Sequence, residues 1–534
     1  MVTGHHVKKS GYKVLLTTSG VGGRLGAITE YTNKSLVVLG NKPAISHIIE
    51  NYPPETTFVV TLGYFGNHVR EFLKLSHPDS KFEFVEVQNY NGPGGSLALS
   101  ILQAKDYLQE PFIFHACDTL LINEKIPSPT FNWVGGFKGS DATNYASFDV
   151  SEKTVQRFHD KGMIDFDSIH IGIVGINNYL EFWQELDEII TKDPLNIFLN
   201  DVSVLKKLTT KGVFFSNYNF VSWIDIGNSS SLASARKKFN INSNILTKVT
   251  ESISFVNNSV VKFFADSDIV ARRVKRAVYL QNLIPTIEAS SANFYKYKFE
   301  PGVVISKSYD PRVITNLLNW AKVNLWVKND NSNNEIFKNN CRKFYIEKSL
   351  RRVKEFLETR GINDKPSIIN SIEVPTTTEM IKAAEKIIMS DLIETAFHGD
   401  FILDNILQQN KGFKLVDWRD SFGDSIQFGD IYYDIAKLNH SLHVNHEIIN
   451  QNLFFVEEKD GQIYCGTLRK DVHVMMQYEL DKFIFSENLN PRKVRLLTAL
   501  IWLNMSPLHH HPFDVFLYHY GRLNLWKALN GSNE

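Results

Sequence analysis

Short runs rich in β-branched and aromatic residues alternate with helical patterns through the first 240 residues of this 534-residue chain. The runs are KVLLTT (13–18), TTFVVTLG (56–63), KFEFVEV (81–87), PFIFHACD (111–118) and GVFFSNY (212–218). Helical stretches lie between them at 44–51, 66–75 and 96–108. Strands that alternate with helices form βαβ units, so we predict a Rossmann-like α/β domain with a mostly parallel sheet. Ligands of such sheets bind beyond the carboxyl ends of the strands.

The pattern restarts near residue 241, where a β-rich region begins. Its features are, in chain order, a hairpin at 251–264 that turns near Asn257-Asn258, a basic amphipathic helix at 268–283 and a second strand pair at 293–306. After residue 310 helical periodicity dominates, apart from a short β-rich insert around 413–418. A small β-rich lobe before a large helical lobe is the layout of a kinase. We therefore predict two domains, 1–240 and 241–534, the second of them bilobal.

Charge and cysteine content exclude several function classes. The chain has 58 basic and 58 acidic residues, so it lacks the positive balance of a nucleic-acid-binding protein. Cys117, Cys341 and Cys465 form no CxxC pair, which argues against a disulfide scaffold or a cysteine zinc site. The polar N-terminus MVTGHHVKKS and the short apolar runs predict a cytoplasmic protein without membrane insertion. The partners we expect are small molecules, and the oligomeric state stays open.

A Gly-rich turn, TTSGVGGRLG (17–26), directly follows the first predicted strand. Gly20, Gly22 and Gly23 permit a tight turn and let backbone N–H groups approach phosphate oxygens. Arg24 would add a fork of donors and Lys34 a point charge for the same oxygens. Taken alone, such a turn is as often structural as functional.

Two aspartates and a second Gly-rich turn accompany the first turn. The second turn, NGPGGSLALS (91–100), opens a helix, and Asp118 and Asp225 each end an apolar strand. Two carboxylates that converge on a triphosphate commonly hold Mg²⁺. Taken singly, each aspartate also fits a strand-end cap or a turn.

The order of these features along the chain resembles that of the nucleotidyltransferase family, whose members make nucleoside-diphosphate sugars and CDP-alcohols. The resemblance covers about residues 11–240 and rests on TTSGVGGRLG with Lys34, NGPGGSLA, Asp118, GIVGI (172–176) and WIDIG (223–227). It implies phosphate contacts from Gly22, Gly23 and Arg24, a Gly94-Gly95 turn near the base, and metal binding by Asp118 and Asp225. Lys34 would neutralise the attacking phosphate. The family usually has proline before this lysine, where the present chain has Asn33.

A second constellation, FHGDFILDN (397–405), is followed by KLVDWRD (414–420). Asp400 on a loop can accept a proton from an alcohol, and Asn405 can offer a neutral oxygen to Mg²⁺. Asp417 would add a charged oxygen to the same metal, and Lys262 would contact the α- and β-phosphates of ATP. Without the downstream motif, Lys262 also fits an exposed strand lysine.

These residues resemble the aminoglycoside phosphotransferase and choline kinase family over about residues 245–534. The resemblance implies a kinase in which Asp400 is the base and Asn405 and Asp417 bind Mg²⁺. The family usually has a glutamate on the first helix, but 268–283 contains none, which leaves Asp266 or Asp268 as substitutes. C-terminal aromatics such as Trp502 and Tyr518 fit either the core or a cage for a quaternary ammonium ligand, and burial tendencies favour the core.

Together the halves predict a bifunctional enzyme. The kinase would phosphorylate a small alcohol, amide or sugar with ATP, and the nucleotidyltransferase would join that phosphate to NMP from CTP or another NTP. The product would be an activated precursor for surface-glycan decoration, with a CDP-alcohol favoured by the choline kinase resemblance. One alternative is an anomeric sugar kinase joined to a sugar-1-phosphate uridylyl- or guanylyltransferase. Another is that one half is an inert binding or sensor module.

Overall fold

The chain forms two compact units in the computed structural model, which describes residues 11–239 and 249–531. The first unit comprises 11–239, 249–267 and 289–297, and the second comprises 268–288 and 298–531. The N-terminal MVTGHHVKKS segment and the predicted boundary between residues 240 and 241 lie outside the described residues. The two-domain assignment with that boundary therefore stays a prediction.

A nine-stranded sheet forms the centre of the first unit, in the order β5-β4-β1-β6-β11-β8-β12-β10-β9. The strands of the first 239 residues are β1 (Lys13–Thr17), β2 (Val38–Leu39), β3 (Lys42–Pro43), β4 (Thr57–Leu62), β5 (Lys81–Glu86), β6 (Phe112–Ala116), β7 (Thr119–Leu121), β8 (Trp133–Phe137), β9 (Ser147–Ser151), β10 (Thr154–His159), β11 (Ser168–Ile176), β12 (Ser216–Asn219) and β13 (Trp223–Asp225). The helices are α1 (Ala44–Ile49), α2 (Gly66–Ser76), α3 (Leu97–Leu102), α4 (Tyr179–Lys192), α5 (Asp201–Thr210) and α6 (Ser229–Lys238).

Helices cover both faces of this sheet, as the βαβ pattern predicts. Side chains alternate along β1, so Val14 and Leu16 join one buried apolar cluster and Leu15 joins the other. The first cluster includes Phe72 of α2, and the second includes Phe182 of α4. The prediction of an α/β fold is confirmed.

The prediction of a mostly parallel sheet is wrong for half of the sheet. β5, β4, β1 and β6 run parallel, as do β8 and β12, whereas β11 is antiparallel to β6, β8 and β9, and β10 is antiparallel to β9 and β12. Parallel neighbours need a crossover connection, which is usually a helix. The described chain between β6 and β11 contains only strands, so β11 returns in the opposite direction.

The predicted hairpin at 251–264 is confirmed as β14 (Glu251–Val256) and β15 (Ser259–Phe264). Asn257 and Asn258 form its turn with φ of 49° and 58°. The hairpin belongs to the first unit: Val261 and Phe263 join the apolar cluster of Phe72, and Asn257 Nδ2 donates to the carbonyl of Ser76 at 2.9 Å. The sequence analysis assigned these strands to the second domain, and that assignment stays a prediction.

The second unit is mainly helical after residue 310, as predicted. Its helices are α7 (Ser267–Leu280), α8 (Arg312–Asn324), α9 (Asn334–Arg342), α10 (Lys348–Arg360), α11 (Thr377–Ile388), α12 (Ile431–His443), α13 (His446–Asn450), α14 (Asp471–Ser486), α15 (Pro491–Met505) and α16 (Phe513–Leu529). The remaining strands of the chain are β16 (Ile287–Ser290), β17 (Phe294–Lys298), β18 (Val303–Val304), β19 (Ser367–Ile369), β20 (Ile372–Val374), β21 (Glu394–Ala396), β22 (Ile406–Gln408), β23 (Phe413–Leu415), β24 (Phe428–Asp430), β25 (Phe454–Lys459) and β26 (Gln462–Thr467).

One strand prediction for this region is wrong, and one hairpin was missed. β18 pairs with β22, so residues 293–306 do not form a pair of their own. The sequence analysis also missed the hairpin of β25 and β26, whose turn at Asp460-Gly461 is a strong hairpin signal. Within the described ranges, no helix is long and apolar enough to cross a membrane.

Candidate active sites

The first candidate site begins with an ion pair at the carboxyl ends of β1 and β6. Asp118 lies two residues after β6, and its Oδ2 accepts from Lys34 Nζ at 3.2 Å. Burial acts to lower the pKa of the Lys34 amine, but the charge and hydrogen bond of Asp118, together with Cys117, outweigh burial and raise that pKa. Burial acts to raise the pKa of Asp118, but Lys34 and Arg24 hold that pKa below its ordinary value. The site therefore keeps both groups charged.

Asp118, Asp225 and Arg24 converge on one point beside Gly227. A Cβ atom added at Gly227 would lie 3.1 Å from Asp225 Oδ1, 3.2 Å from Asp118 Oδ2 and 3.4 Å from Arg24 Nη2. β13 is antiparallel to β7 with Asp225 opposite Thr119, and this pairing brings the two aspartates together. Gly227 was not predicted as a site residue, although it lies in the WIDIG motif.

Two carboxylate oxygens that face one point fit Mg²⁺, which a protein usually holds with one or two carboxylates and substrate phosphate. Arg24 and Lys34 are the cations that would lie beside those phosphates. Among the residues that the structure describes, no group of three or more His, Cys, Asp or Glu is placed to hold a metal ion. A divalent ion here would therefore depend on the nucleotide for further ligands.

The first Gly-rich turn lies against this cluster. Gly22 has a φ of 70°, and an added Cβ would lie 3.1 Å from the Cβ of Lys34. Gly20 and Gly23 would meet no atom within 4 Å, so a ligand can approach their backbone. The turn thus leaves open space at Gly20 and Gly23, and phosphate binding by these glycines stays a prediction.

The N–H groups of the second Gly-rich turn, which the resemblance places near the base, already have acceptors within the protein. Gly94 N donates to the carbonyl of Leu195 at 3.0 Å, and Gly95 N donates to the carbonyl of Gly92 at 2.9 Å. An added Cβ at Gly94, which has a φ of 81°, would lie 2.8 Å from the carbonyl oxygen of Pro194. These glycines close a tight turn, and base contact from their N–H groups does not fit this geometry.

Asn33 and Tyr145 contribute to the site and were not predicted. Asn33 is fully buried, and its Nδ2 donates to the carbonyls of Thr18 and Tyr64, both at 2.7 Å. Its Oδ1 accepts from the backbone N–H of Ser35 and so caps the turn that begins at Lys34. Asn33 therefore positions Lys34 where relatives usually have proline.

Tyr145 holds the second carboxylate of the cluster. Its hydroxyl donates to Asp225 Oδ2 at 3.1 Å, while Gly227 N donates to Asp225 Oδ1 at 3.0 Å. Burial raises the pKa of Tyr145, and the charge of Asp225 raises it further, so the hydroxyl stays a donor. A tyrosine 80 residues from its partner leaves no local signal in the sequence.

The second candidate site is the loop around Asp400. Asn405 Nδ2 donates to the carbonyl and to Oδ2 of Asp400, both at 3.0 Å. Oδ1 of Asn405 is therefore the side-chain atom that could bind a metal ion. Lys437 of α12 lies with Nζ 2.7 Å from Asp400 Oδ1. Burial acts to raise the pKa of Asp400, but Lys437 outweighs it and holds that pKa below its ordinary value. Asp400 is thus an ionised acceptor, and Lys437 is a site residue that the sequence analysis missed.

Two buried charged residues fix the backbone of this loop. Asp434 accepts from the N–H groups of His398 and Gly399, both at 2.7 Å. Arg276 of α7 is fully buried and donates to the carbonyl of His398 at 3.1 Å and to the carbonyl of Phe397. The loop is held rigidly, which suits a catalytic group.

Asp417 lies near Asp400, since its charge acts to raise the pKa of Asp400. Its Oδ1 lies 2.5 Å from Arg273 Nη1, and its backbone has a φ of 58°. A left-handed non-glycine residue is a strained feature that often marks a functional position. Lys262 is buried on β15 in the first unit, so it is not an exposed strand lysine, and its contact with ATP stays a prediction.

The first half of the chain is similar to curated proteins of low identity. The Bifunctional protein GlmU of Methanococcus vannielii is 22% identical over 262 residues, which are 46% of this chain and 60% of that protein. Its counterpart in one strain of Methanococcus maripaludis is 24% identical over 258 residues, with the same coverage. The chain thus spans about three fifths of the length of these relatives. No family model matches the chain.

Solved structures also match the first half. A UDP-glucose pyrophosphorylase complexed with UDP-glucose is 16% identical, with a TM-score of 0.37, over 43% of this chain and 98% of that one. The CTP:phosphocholine cytidylyltransferase of Streptococcus pneumoniae is 17% identical, with a TM-score of 0.36, over 43% of this chain and 99% of that one. The inositol-1-phosphate CTP transferase of T. maritima is 16% identical, with a TM-score of 0.34, over 43% of this chain and 96% of that one.

Proposed function

We propose that the protein is a bifunctional enzyme with a nucleotidyltransferase site in the first unit and a kinase site in the second. The observation that supports the first activity is the convergence of Asp118, Asp225 and Arg24 beside Gly227, with Lys34 paired to Asp118. The sequence similarity over 46% of the chain covers the same half. The kinase activity is supported by the geometry of the Asp400 loop and by the sequence resemblance.

In the nucleotidyltransferase site, the open backbone of Gly20 and Gly23 and the guanidinium of Arg24 bind the phosphates of the NTP. Asp118 and Asp225 hold Mg²⁺, which neutralises charge on those phosphates when bound. An oxygen of the phosphomonoester attacks the α-phosphorus, and pyrophosphate leaves. Lys34, which stays protonated, reduces the repulsion between the two anions as they approach.

In the kinase site, Asp400 accepts the proton of the acceptor hydroxyl while that oxygen attacks the γ-phosphorus of ATP. ADP leaves, and a phosphomonoester is formed. Asn405 and Asp417 hold Mg²⁺, which neutralises phosphate charge when bound. The contact of Lys262 with the α- and β-phosphates is proposed from the motif order alone, since Lys262 belongs to the first unit.

The two reactions follow one another, because the phosphomonoester made by the kinase is the substrate class of the nucleotidyltransferase. We propose CTP as the nucleotide donor and a CDP-activated small alcohol, amide or sugar, used in surface-glycan decoration, as the product. The choice of CTP rests on the sequence resemblance alone, since the N–H groups of Gly94 and Gly95 already have acceptors. A uridylyl- or guanylyltransferase acting on a sugar 1-phosphate is the alternative.

The test separates the two activities with one protein. Purified protein and Mg²⁺ are given each of the four NTPs with phosphorylated alcohols and sugar 1-phosphates, and pyrophosphate is measured. ADP release from ATP is measured in parallel with unphosphorylated alcohols. We expect pyrophosphate with CTP and ADP with ATP. UTP or GTP outperforming CTP on a sugar 1-phosphate would replace the CDP-alcohol product with a nucleotide sugar.

A further inference from the structure

Five basic side chains lie together in the second unit near Asp400, and only one of them has a role in the account above. They are Lys348, Arg351, Arg352, Arg419 and Lys437, which we call the cation cluster. The first three stand at positions i, i+3 and i+4 of α10, so they share one face of that helix. Such a concentration of like charge is unfavourable unless an anion lies nearby.

Phe344 joins two members of the cluster. Its buried ring lies 3.9 Å from Lys348 Nζ and 5.0 Å from Arg419 Cζ, measured to the ring centroid. Phe344 belongs to a π-helical turn, Lys343–Glu347, that leads directly into α10. Single π-helical turns inside helices often occur at functional sites.

Arg419 and Lys437 connect the cluster to the proposed base. An added Cβ at Gly399 would lie 2.6 Å from the Cβ of Arg419, so the stem of Arg419 covers the residue next to Asp400. Arg419 N also donates to the carbonyl of His398 at 3.1 Å. Lys437 Nζ lies 2.7 Å from Asp400 Oδ1. A ligand that contacts this cluster is therefore close to the group that takes the acceptor proton.

The cluster has fewer counter-charges than cations. Lys437 is paired with Asp400, and Arg352 with Glu355 at 2.9 Å. Within the described part of the chain, the amine of Lys348 has no hydrogen-bond or ion-pair partner. Burial lowers the pKa of Lys348 well below its ordinary value, and the charges of the other four cations lower it further. An anion bound beside Lys348 would relieve this repulsion.

We propose that the acceptor alcohol of the kinase site itself carries a negative charge, as a carboxylate or a phosphoester, that binds the cation cluster. This inference rests on the proposed kinase function. It disfavours a quaternary ammonium acceptor, which would meet like charge. Of the aromatic residues that could have formed a cage, Trp502 and Tyr518 are in the core, at 2% and 1% exposure.

The experiment measures kcat and KM for ATP-dependent phosphorylation of small alcohols that differ in charge. The probes are glycerate with a carboxylate, glycerol 3-phosphate with a phosphoester, neutral glycerol and cationic choline. We expect kcat/KM for at least one anionic probe to exceed that for glycerol and choline by about tenfold or more, as one charge-assisted contact allows. Equal or faster phosphorylation of choline or glycerol overturns the inference and leaves the kinase function intact. If no probe of any charge is phosphorylated, the kinase proposal fails and the inference fails with it.

Variants of the cation cluster test where the negatively charged group of the acceptor binds. Lys348→Met keeps the length of the side chain and removes its charge, so we expect KM for the anionic probe to rise about tenfold. The kcat and the KM for ATP should change little, and Lys348→Arg should restore the acceptor KM. The control is Lys354→Met, an exposed lysine of the same helix that pairs with Glu358. If Lys348→Met does not fold, Arg419→Met is measured in its place. An unchanged acceptor KM in the folded variant contradicts the proposal.

Discussion

Each candidate site places a lysine against an aspartate, but the two sites assemble that pair from different parts of the fold. Lys34 and Asp118 are 84 residues apart and meet because β1 and β6 are neighbours in the sheet. Asp400 and Asn405 belong to one short loop, and Lys437 reaches Asp400 from α12. The geometry of the first site therefore depends on strand pairing in the sheet. The geometry of the second site depends on a loop whose backbone Asp434 and Arg276 hold in place.

The comparison also separates the roles of the two aspartates. Side-chain atoms of Asp118, Asp225 and Arg24 lie close to one point beside Gly227, an arrangement that suits a metal and phosphates. Asp400 is instead held by one amide and one amine, an arrangement that suits a proton acceptor. Variants of the two residues should therefore remove different activities.

The largest expected effect is that of Asp400→Asn. The amide keeps the shape of the side chain and cannot accept the alcohol proton, so phosphorylation should fall by about 10²- to 10⁴-fold. Nucleotidyl transfer to a supplied phosphomonoester should be unchanged, as measured by pyrophosphate release. Asp424→Asn is the control, since that side chain is 71% exposed. A kinase rate within a few-fold of the parent would show that Asp400 is not the base.

The complementary variant is Asp118→Asn. Loss of one of the two carboxylates proposed to hold the metal should lower nucleotidyl transfer by about 10²- to 10³-fold, the usual cost of removing one preorganised electrostatic contact. ADP formation with an alcohol should continue at the parental rate. Asp160→Asn, at a side chain that is 89% exposed, is the control. If both activities are lost in a folded protein, the two sites are coupled and the comparison fails.

Lys437→Met should change the pH dependence of the kinase. Lys437 lowers the pKa of Asp400 against the effect of burial. Without that amine, the pKa of Asp400 should rise, so the acidic limb of the kcat/KM profile should move to higher pH. Lys437→Arg keeps the charge and should keep the profile near that of the parent. An acidic limb that stays in place in the Met variant would mean that Lys437 does not hold Asp400 ionised.

The smallest effect is expected for Asn33→Ala, which tests whether the first site can be destabilised without the second. The change leaves the carbonyls of Thr18 and Tyr64 without their donor, at a cost of about 1–3 kcal/mol. Nucleotidyl transfer should therefore be lost at a lower temperature than in the parent, while kinase activity is lost at an unchanged temperature. Asn67→Ala, at an exposed position, is the control. Equal thermal loss of both activities would contradict separate stabilities for the two sites.

Local patterns were sufficient to predict part of this structure. The turn at Asn257-Asn258 and the spacing of Asp400 and Asn405 depend on neighbouring residues, and both were predicted. Gly22 and Lys34 were predicted as one phosphate-binding group from their order after a strand, and they lie in contact.

What could not be predicted depends on distant contacts. The direction of β11 is determined by the route of the chain after β6 and not by its composition. Tyr145 and Lys437 reach their aspartates from 80 and 37 residues away, and no local pattern marks them. The acceptor of the Gly94 N–H group is the carbonyl of the distant Leu195, and it cannot be inferred from the turn itself.

The central claim is that the second site makes the substrate of the first, and one coupled assay tests it most directly. Parent and Asp400→Asn proteins are each given ATP, CTP, Mg²⁺ and the unphosphorylated alcohols named above, which are glycerate, glycerol and choline, and pyrophosphate is measured. We expect the parent to release pyrophosphate only when ATP is present, in step with ADP. We expect the variant to release it only when a phosphorylated alcohol is supplied. Pyrophosphate release by Asp400→Asn from an unphosphorylated alcohol at the parental rate would contradict the account.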